Sequence, residues 1–229
     1  MMSAGQTTYL YTFAIPGRKE ISFPVLLNER SEYVNGDLAA TPLWAGLEHH
    51  RCPPCTLDCQ THPFCPVARN ISALVTAFKD IVSHTACTVT CNSPERIVSK
   101  QTAVQNGLAS ILGLLMATSG CPTMDFFRPL ARFHLPFASV EEATFRIAAV
   151  YMLKRFFSEQ NEDGKLFSAT DIKEHFRRVK QVNSGILRRI RDVSDFDADK
   201  NALITLNSLA DILEMEIDTR LESLHYLFK

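Results

Sequence analysis

Five prolines between residues 42 and 66 (Pro42, Pro53, Pro54, Pro63 and Pro66) exclude regular structure from that stretch. Whatever the chain builds must lie on either side of an irregular segment, and this segment carries unusual chemistry. Residues 49–68 read HHRCPPCTLDCQTHPFCPVA, with four of the chain's seven cysteines and three of its seven histidines. A chain of 229 residues with 46% hydrophobic residues can bury a sizeable core, so it needs neither metal nor disulfides merely to fold. The odd cysteine count argues against a fully paired disulfide framework.

The flanks read as α+β. Residues 8–14 and 20–28 are rich in aromatic and β-branched side chains and are separated by Pro16-Gly17, which predicts a β-hairpin. Pro24 predicts that the second strand is an edge. A short helix is expected around Trp44 and Leu47. Cys65-Pro66 opens a helix to about residue 83, since proline at the first helical position gives up an N–H that has no intrahelical partner. Residues 85–91 alternate like a strand, and 96–99 could pair back on them. Residues 101–118 are apolar almost all round, as in a buried helix, and Gly120 and Pro122 end it. Ser139 with Glu142 caps a helix over about 140–158, and Ser168 with Asp171 caps another over 169–193. A last helix is expected over 199–227. The reading is a small antiparallel β-sheet at the N-terminal side packed with a mostly α-helical body: an α+β region over 1–160 with a cysteine-rich metal loop at 50–66, and a C-terminal helical hairpin over 161–229 on the same core.

The cysteine spacing is Cys52-x2-Cys55-x3-Cys59-x5-Cys65. A C-x2-C pair lets two thiolates face one concave turn, and soft thiolates select zinc, copper(I) or an iron–sulfur cluster. Four local cysteines could complete tetrahedral zinc, with His50 or His62 as substitutes. Cys52, Cys65 and Cys121 each precede proline, as ligands of ferredoxin-type clusters also do. Cys121, at the end of the apolar helix, is the best distant fourth ligand. The expected set is Cys52, Cys55, Cys65 and Cys121 holding an iron–sulfur cluster or zinc, with His50 and Cys59 as alternates. A dithiol redox pair of Cys52 and Cys55 is disfavoured, because both intervening residues are proline and the helix begins only at residue 66. Cys87 and Cys91, on one face of a strand, read as small core hydrophobes.

A second motif, RPLARFHLPF, places Arg128, Arg132 and His134 close in sequence to Cys121. They could bind an anion or tune a cluster through hydrogen bonds. The alternative is a short extended segment with Phe133, Leu135 and Phe137 inward and Arg132 and His134 solvated. His49, His84, His175 and His225 read as surface residues. The basic run at 177–191, including Arg177, Arg178, Lys180 and Arg189, reads as a solvated helix face. With a net charge of −1 and a pI of about 6.6, no global field attracts nucleic acid or acidic lipid. No run of eighteen apolar residues spans a membrane, no secretion signal is visible, and the expected compartment is the reducing cytoplasm. Nucleotide-binding glycine loops, nucleophile elbows and H-E-x-x-H are absent, and the zinc-deaminase spacing is not met.

Three stretches (Trp44–Asn70, Lys100–Pro122 and Arg128–Arg146) together resemble a family of bacterial proteins known only as a domain of unknown function. They carry C-x2-C…CPVA, MATSGCP and ARFHLPFA. The resemblance implies counterparts of Cys52, Cys55, Cys65 and Cys121, which favours three local ligands plus one distant ligand. It also implies a bacterial cytosolic protein, and it supplies no activity. Three functional readings follow: a metalloprotein serving redox, sensing or structure; a helical interaction module, with a zinc staple, that docks a protein partner or a second copy through its C-terminal helices; and an enzyme acting near Cys121, Arg132 and His134.

Overall fold

A computed structural model of the chain describes residues 7–34, 41–157, 169–193, 197–219 and 221–229. The architecture is α+β. Strands β1 (Thr7–Ala14) and β2 (Ile21–Leu27) form the expected hairpin, with Gly17 at φ +76° in its turn. Strands β3 (Ala86–Asn92) and β4 (Ile97–Ala103) form a second hairpin, and the antiparallel sheet runs β2-β1-β3-β4. Pro24 therefore lies on an edge strand, as its missing N–H requires. Tyr9, Tyr11 and Phe13 of β1, and Cys87, Val89 and Cys91 of β3, turn to the same buried face. Period-two alternation allows nothing else once one face is covered.

The cover is helical. Helix α1 (Pro66–Phe78) packs on α2 (Val104–Ala117), and buried Asn70 donates its amide to the Leu115 carbonyl at 3.0 Å. Strand β4 runs straight into α2 without a loop. A 3-10 turn (Asp125–Phe127) leads to a one-turn helix α3 (Arg128–Arg132). Helix α4 (Val140–Phe157) follows, and its capping box is reciprocal: the Ser139 amide donates to Glu142 at 2.7 Å and the Glu142 amide donates to Ser139 Oγ at 3.2 Å. Helices α5 (Ala169–Arg191) and α6 (Ala198–Asp218) pack on each other, and α6 also packs on α2. Val179, Val182, Ile186 and Ile190 of α5 and Leu203 of α6 join the same core as the sheet. A smaller core gathers Phe126, Ile147, Ile172, Phe176 and Leu213.

Three element boundaries differ from the sequence reading. Helix α1 stops at Phe78 instead of near 83, because the Asp197 carboxylate captures the amide and hydroxyl of Ser83 at 2.8 and 2.9 Å and turns the chain towards α6. The last helix breaks at Leu221, whose φ of 59° is left-handed, and continues as a 3-10 helix over Glu222–Phe228. The third is β4, which extends to Ala103, so α2 begins at Val104 and not at 101. Ser168 of the second capping box and the boundary expected near 160 lie outside the described residues.

Gly107 sets how closely α2 approaches the sheet. A Cβ there would lie 2.5 Å from the Phe13 ring and 2.9 Å from Val89. At Gly113, six residues on, the nearest atom would be Leu206 at 3.8 Å. Gly107→Ala is expected to lower unfolding free energy by about 1–3 kcal/mol through overpacking. Gly113→Ala should raise it by about 0.5–1 kcal/mol through helix propensity. Urea unfolding of the two variants checks the contrast.

Candidate metal centre

The proline-rich segment is held by backbone pairing at its two ends. Residues 44–47 and 63–65 lie antiparallel: the Cys65 amide donates to the Ala45 carbonyl at 2.7 Å and the Leu47 amide to the Pro63 carbonyl at 2.9 Å. Cys65 is the N-cap of α1 and is buried. Cys52 and Cys55 share one tight turn, closed by the Cys55 amide on the Cys52 carbonyl at 3.0 Å. Cys121 follows the end of α2, past Gly120 at φ +81°. Three separate segments therefore supply four thiols.

These four act on one another. Burial pushes the Cys52 thiol up to about 12, and the charges of Cys55, Cys121 and Cys65 push in the same direction. Burial raises Cys121 to about 11, with the backbone amides of Met124 and Thr123 opposing and the charges of Cys65 and Cys55 adding. Arg189 of α5 lies near three of them, Cys65, Cys52 and Cys55. It is 2% exposed, and its guanidinium donates to the carbonyls of Trp44, Gly46 and Leu47 at 2.8, 2.7 and 3.1 Å. Burial lowers it from the ordinary arginine value, with the charges of Cys65, Cys52 and Cys55 opposing, and no carboxylate pairs with it among the described residues. A buried cation without a carboxylate is costly, so its neighbourhood is suited to negative sulfur. Gly185, one turn earlier on α5, lets the helix close on the loop: a Cβ there would lie 3.2 Å from Cys52 Cβ. Arg51, on the outer side, donates to the carbonyls of Leu57 at 2.7 Å and Cys55 at 3.5 Å.

The remaining candidates lie elsewhere. Cys59 is exposed. His50, at φ 47°, does not turn to the thiols; His49 and His50 both place Nε2 on Asp192, at 2.8 and 2.9 Å. Among the described residues these three are the group of His, Cys, Asp or Glu donors lying within 4.8 Å of one another, and no three of the cysteine sulfurs come that close. Cys87 and Cys91 are buried in β3, and Cys91 meets the Tyr11 hydroxyl. Arg128 pairs with Asp125 and Glu32. Arg132 bonds Thr7 Oγ1 at 2.6 Å.

His134 reverses the alternation expected for its segment. Phe133 is 73% exposed, whereas His134 turns inward and bonds the Tyr11 hydroxyl at 2.5 Å, with the Tyr9 ring edge-on at 5.3 Å. Burial, then the Arg146 charge, lowers it to about 3, so the imidazole is neutral. His175 is not a surface residue either. It packs among Phe126, Phe127 and Phe176, and burial first, then nearby cations, lowers it to about 4. Sequence reasoning also missed Arg189, which it placed on a solvated face. The signal was its phase: 182, 186 and 189 follow one helical stripe. The other basic residues of that run do pair outward, Arg177 and Arg178 with Glu174, and Lys180 with Asp211 and Glu214. No helix among the described residues is long and apolar enough to cross a membrane.

The fold is that of an α+β protein in which a buried, helix-borne arginine holds a cysteine-bearing loop against the core. Residues 7–229 match the family model described as a domain of unknown function (DUF6901), and the chain belongs to that family. No curated protein and no solved structure matches it.

Two outcomes are expected of this geometry. Arg189→Met leaves three carbonyls short of donors and should cost about 2–4 kcal/mol, with Arg189→Lys recovering little, because an ammonium cannot fork to three acceptors in one plane. Denaturant unfolding measures both. The second concerns pH. Folded His134 and His175 are held below the ordinary histidine value, so the unfolded chain binds more protons below about pH 6.5. Stability should be full above that value and fall as pH drops towards their folded values. His134→Gln should flatten the fall in urea midpoint between about pH 7 and pH 5.

Proposed function

We propose that Cys52, Cys55, Cys65 and Cys121 hold an iron–sulfur cluster, and that the protein is a redox or sensing metalloprotein. The observation that carries the reading is Cys65 in the core with Cys52, Cys55 and Cys121 packed against it, three of the four acting on a buried arginine that has no carboxylate partner among the described residues. Thiolates bound to a cluster supply the negative charge that Arg189 faces. The amides at Thr123 and Met124, directed at Cys121, are the kind of contact that tunes ligand sulfur.

Cys52, Cys65 and Cys121 each precede proline, as ligands of ferredoxin-type clusters also do, and this favours a cluster over a single zinc. When bound, such a group supplies one-electron transfer; the chain's own residues bury it and set its charge. A purely structural staple is less well supported, because the core formed by the sheet, α1, α2 and α5 does not need a staple to be sizeable.

The test is iron, sulfide and zinc analysis with a visible spectrum, on protein purified without oxygen. Brown protein with stoichiometric iron and sulfide is expected. Cys121→Ala should lose it, and Cys59→Ala should keep it. One zinc with no sulfide would retain the ligand set and replace the cluster, whereas metal-free protein would remove the proposal.

A further inference from the structure

A second site lies away from the cysteines. A cavity of about 580 Å³ opens between α2, α4, α5, α6 and the 124–138 segment. Its walls are mostly apolar, with Leu114, Met124, Leu206, Leu209 and Leu213 among them. That size and character match small-molecule sites, which combine apolar walls with a few placed polar groups.

The polar groups are unusual in lacking partners. Asn183 of α5 is 3% exposed and lines the cavity, and its side-chain amide, with no hydrogen bond among the described residues, is open to a ligand there. His134 also lines the cavity. One of its ring nitrogens is taken by Tyr11, and the other has no hydrogen bond among the described residues. Two cations line the same cavity. Lys100 makes no ion pair among the described residues and stands 5.9 Å over the Phe137 ring. Arg146 is half-buried and, among the described residues, bonds the carbonyls of Leu130 and Phe133, at 3.4 and 2.7 Å. Glu142, which acts on both Arg146 and Lys100, is engaged in the α4 cap.

We propose that this cavity binds an amphipathic organic anion, its apolar body against α2 and α6, its charged end towards Lys100 and Arg146, and a polar group on Asn183. Charge complementarity selects the anion over a neutral molecule of the same shape, and Asn183 selects against a plain hydrocarbon. The site is independent of the cysteines: none of the four lines it.

The experiment is titration of the full-length protein with decanoate and with decanol, followed by calorimetry and thermal melting. Decanoate should bind one to one, and decanol about tenfold more weakly. Lys100→Glu changes an exposed side chain and should weaken decanoate about tenfold while leaving decanol unchanged. Asn183→Leu should keep the fold, because it removes an unpaired amide, and should lower affinity for probes carrying a mid-chain carbonyl (5-oxodecanoate) towards that of decanoate. No saturable binding of either probe, or equal binding of decanoate and decanol, would overturn the proposal. So would decanoate affinity unchanged in Lys100→Glu. Metal content does not enter these readouts, so the two proposals fail separately.

Discussion

The Arg189 guanidinium holds the irregular, proline-rich segment of this molecule in place. A planar fork of donors can satisfy three carbonyls only if those carbonyls are presented together, and the turn at 44–47 presents them. That turn pairs with 63–65, which places Cys65 at the head of α1. Gly185 on the same helix admits the Cys52 turn. Helix α5 is thus the template for a segment that has too many prolines to organise itself. The hydrogen bonds are short and buried, and burial strengthens each of them electrostatically. It also makes the fork demanding, because any replacement leaves acceptors dry.

Much of this was legible in the residues. The two hairpins follow from alternation and turn chemistry, and the edge position of β2 follows from Pro24. The buried character of α2 follows from its lack of a polar face. Cys65-Pro66 marks the start of α1 because the residues needed there are local. What the sequence did not disclose depends on distant partners. Helix α1 ends at Phe78, and the chain beyond it is held by Asp197, more than a hundred residues away, which takes the Ser83 amide. His134 turns inward because Tyr11, on β1, offers a hydroxyl beneath it. Arg189 looked like one more basic residue on an amphipathic helix, and only the position of three carbonyls distinguishes it from Arg188. For the cysteines, spacing draws attention to Cys52, Cys55 and Cys65, whereas the position of Cys121 depends on where α2 ends relative to α1.

Helix α5 also joins two regions of different character. On one side it carries Gly185 and Arg189 against the cysteine loop. On another it turns Phe176, Val179 and Asn183 towards the cavity. Helix α2 does the same: its C-terminal end leads to Cys121, and its length from Ala109 to Ala117 walls the cavity. The two regions are built on shared, well-packed helices. Side chains in such helices sit in a close-packed interior that transmits displacement poorly in small increments and well in discrete ones.

The sheet has four strands and two open edges, and each edge is closed to further growth in its own way. On β2, Pro24 has no N–H to offer another chain. On β4, the sequence IVSKQTA is largely exposed on both faces and places Lys100 mid-strand, so an incoming strand would find charge and, beyond Ile97, little apolar surface to bury. The ladder therefore terminates within the molecule. At high concentration, growth of the sheet from copy to copy is disfavoured, and much of the exposed apolar surface is helical, at Phe156, Phe157 and Phe228.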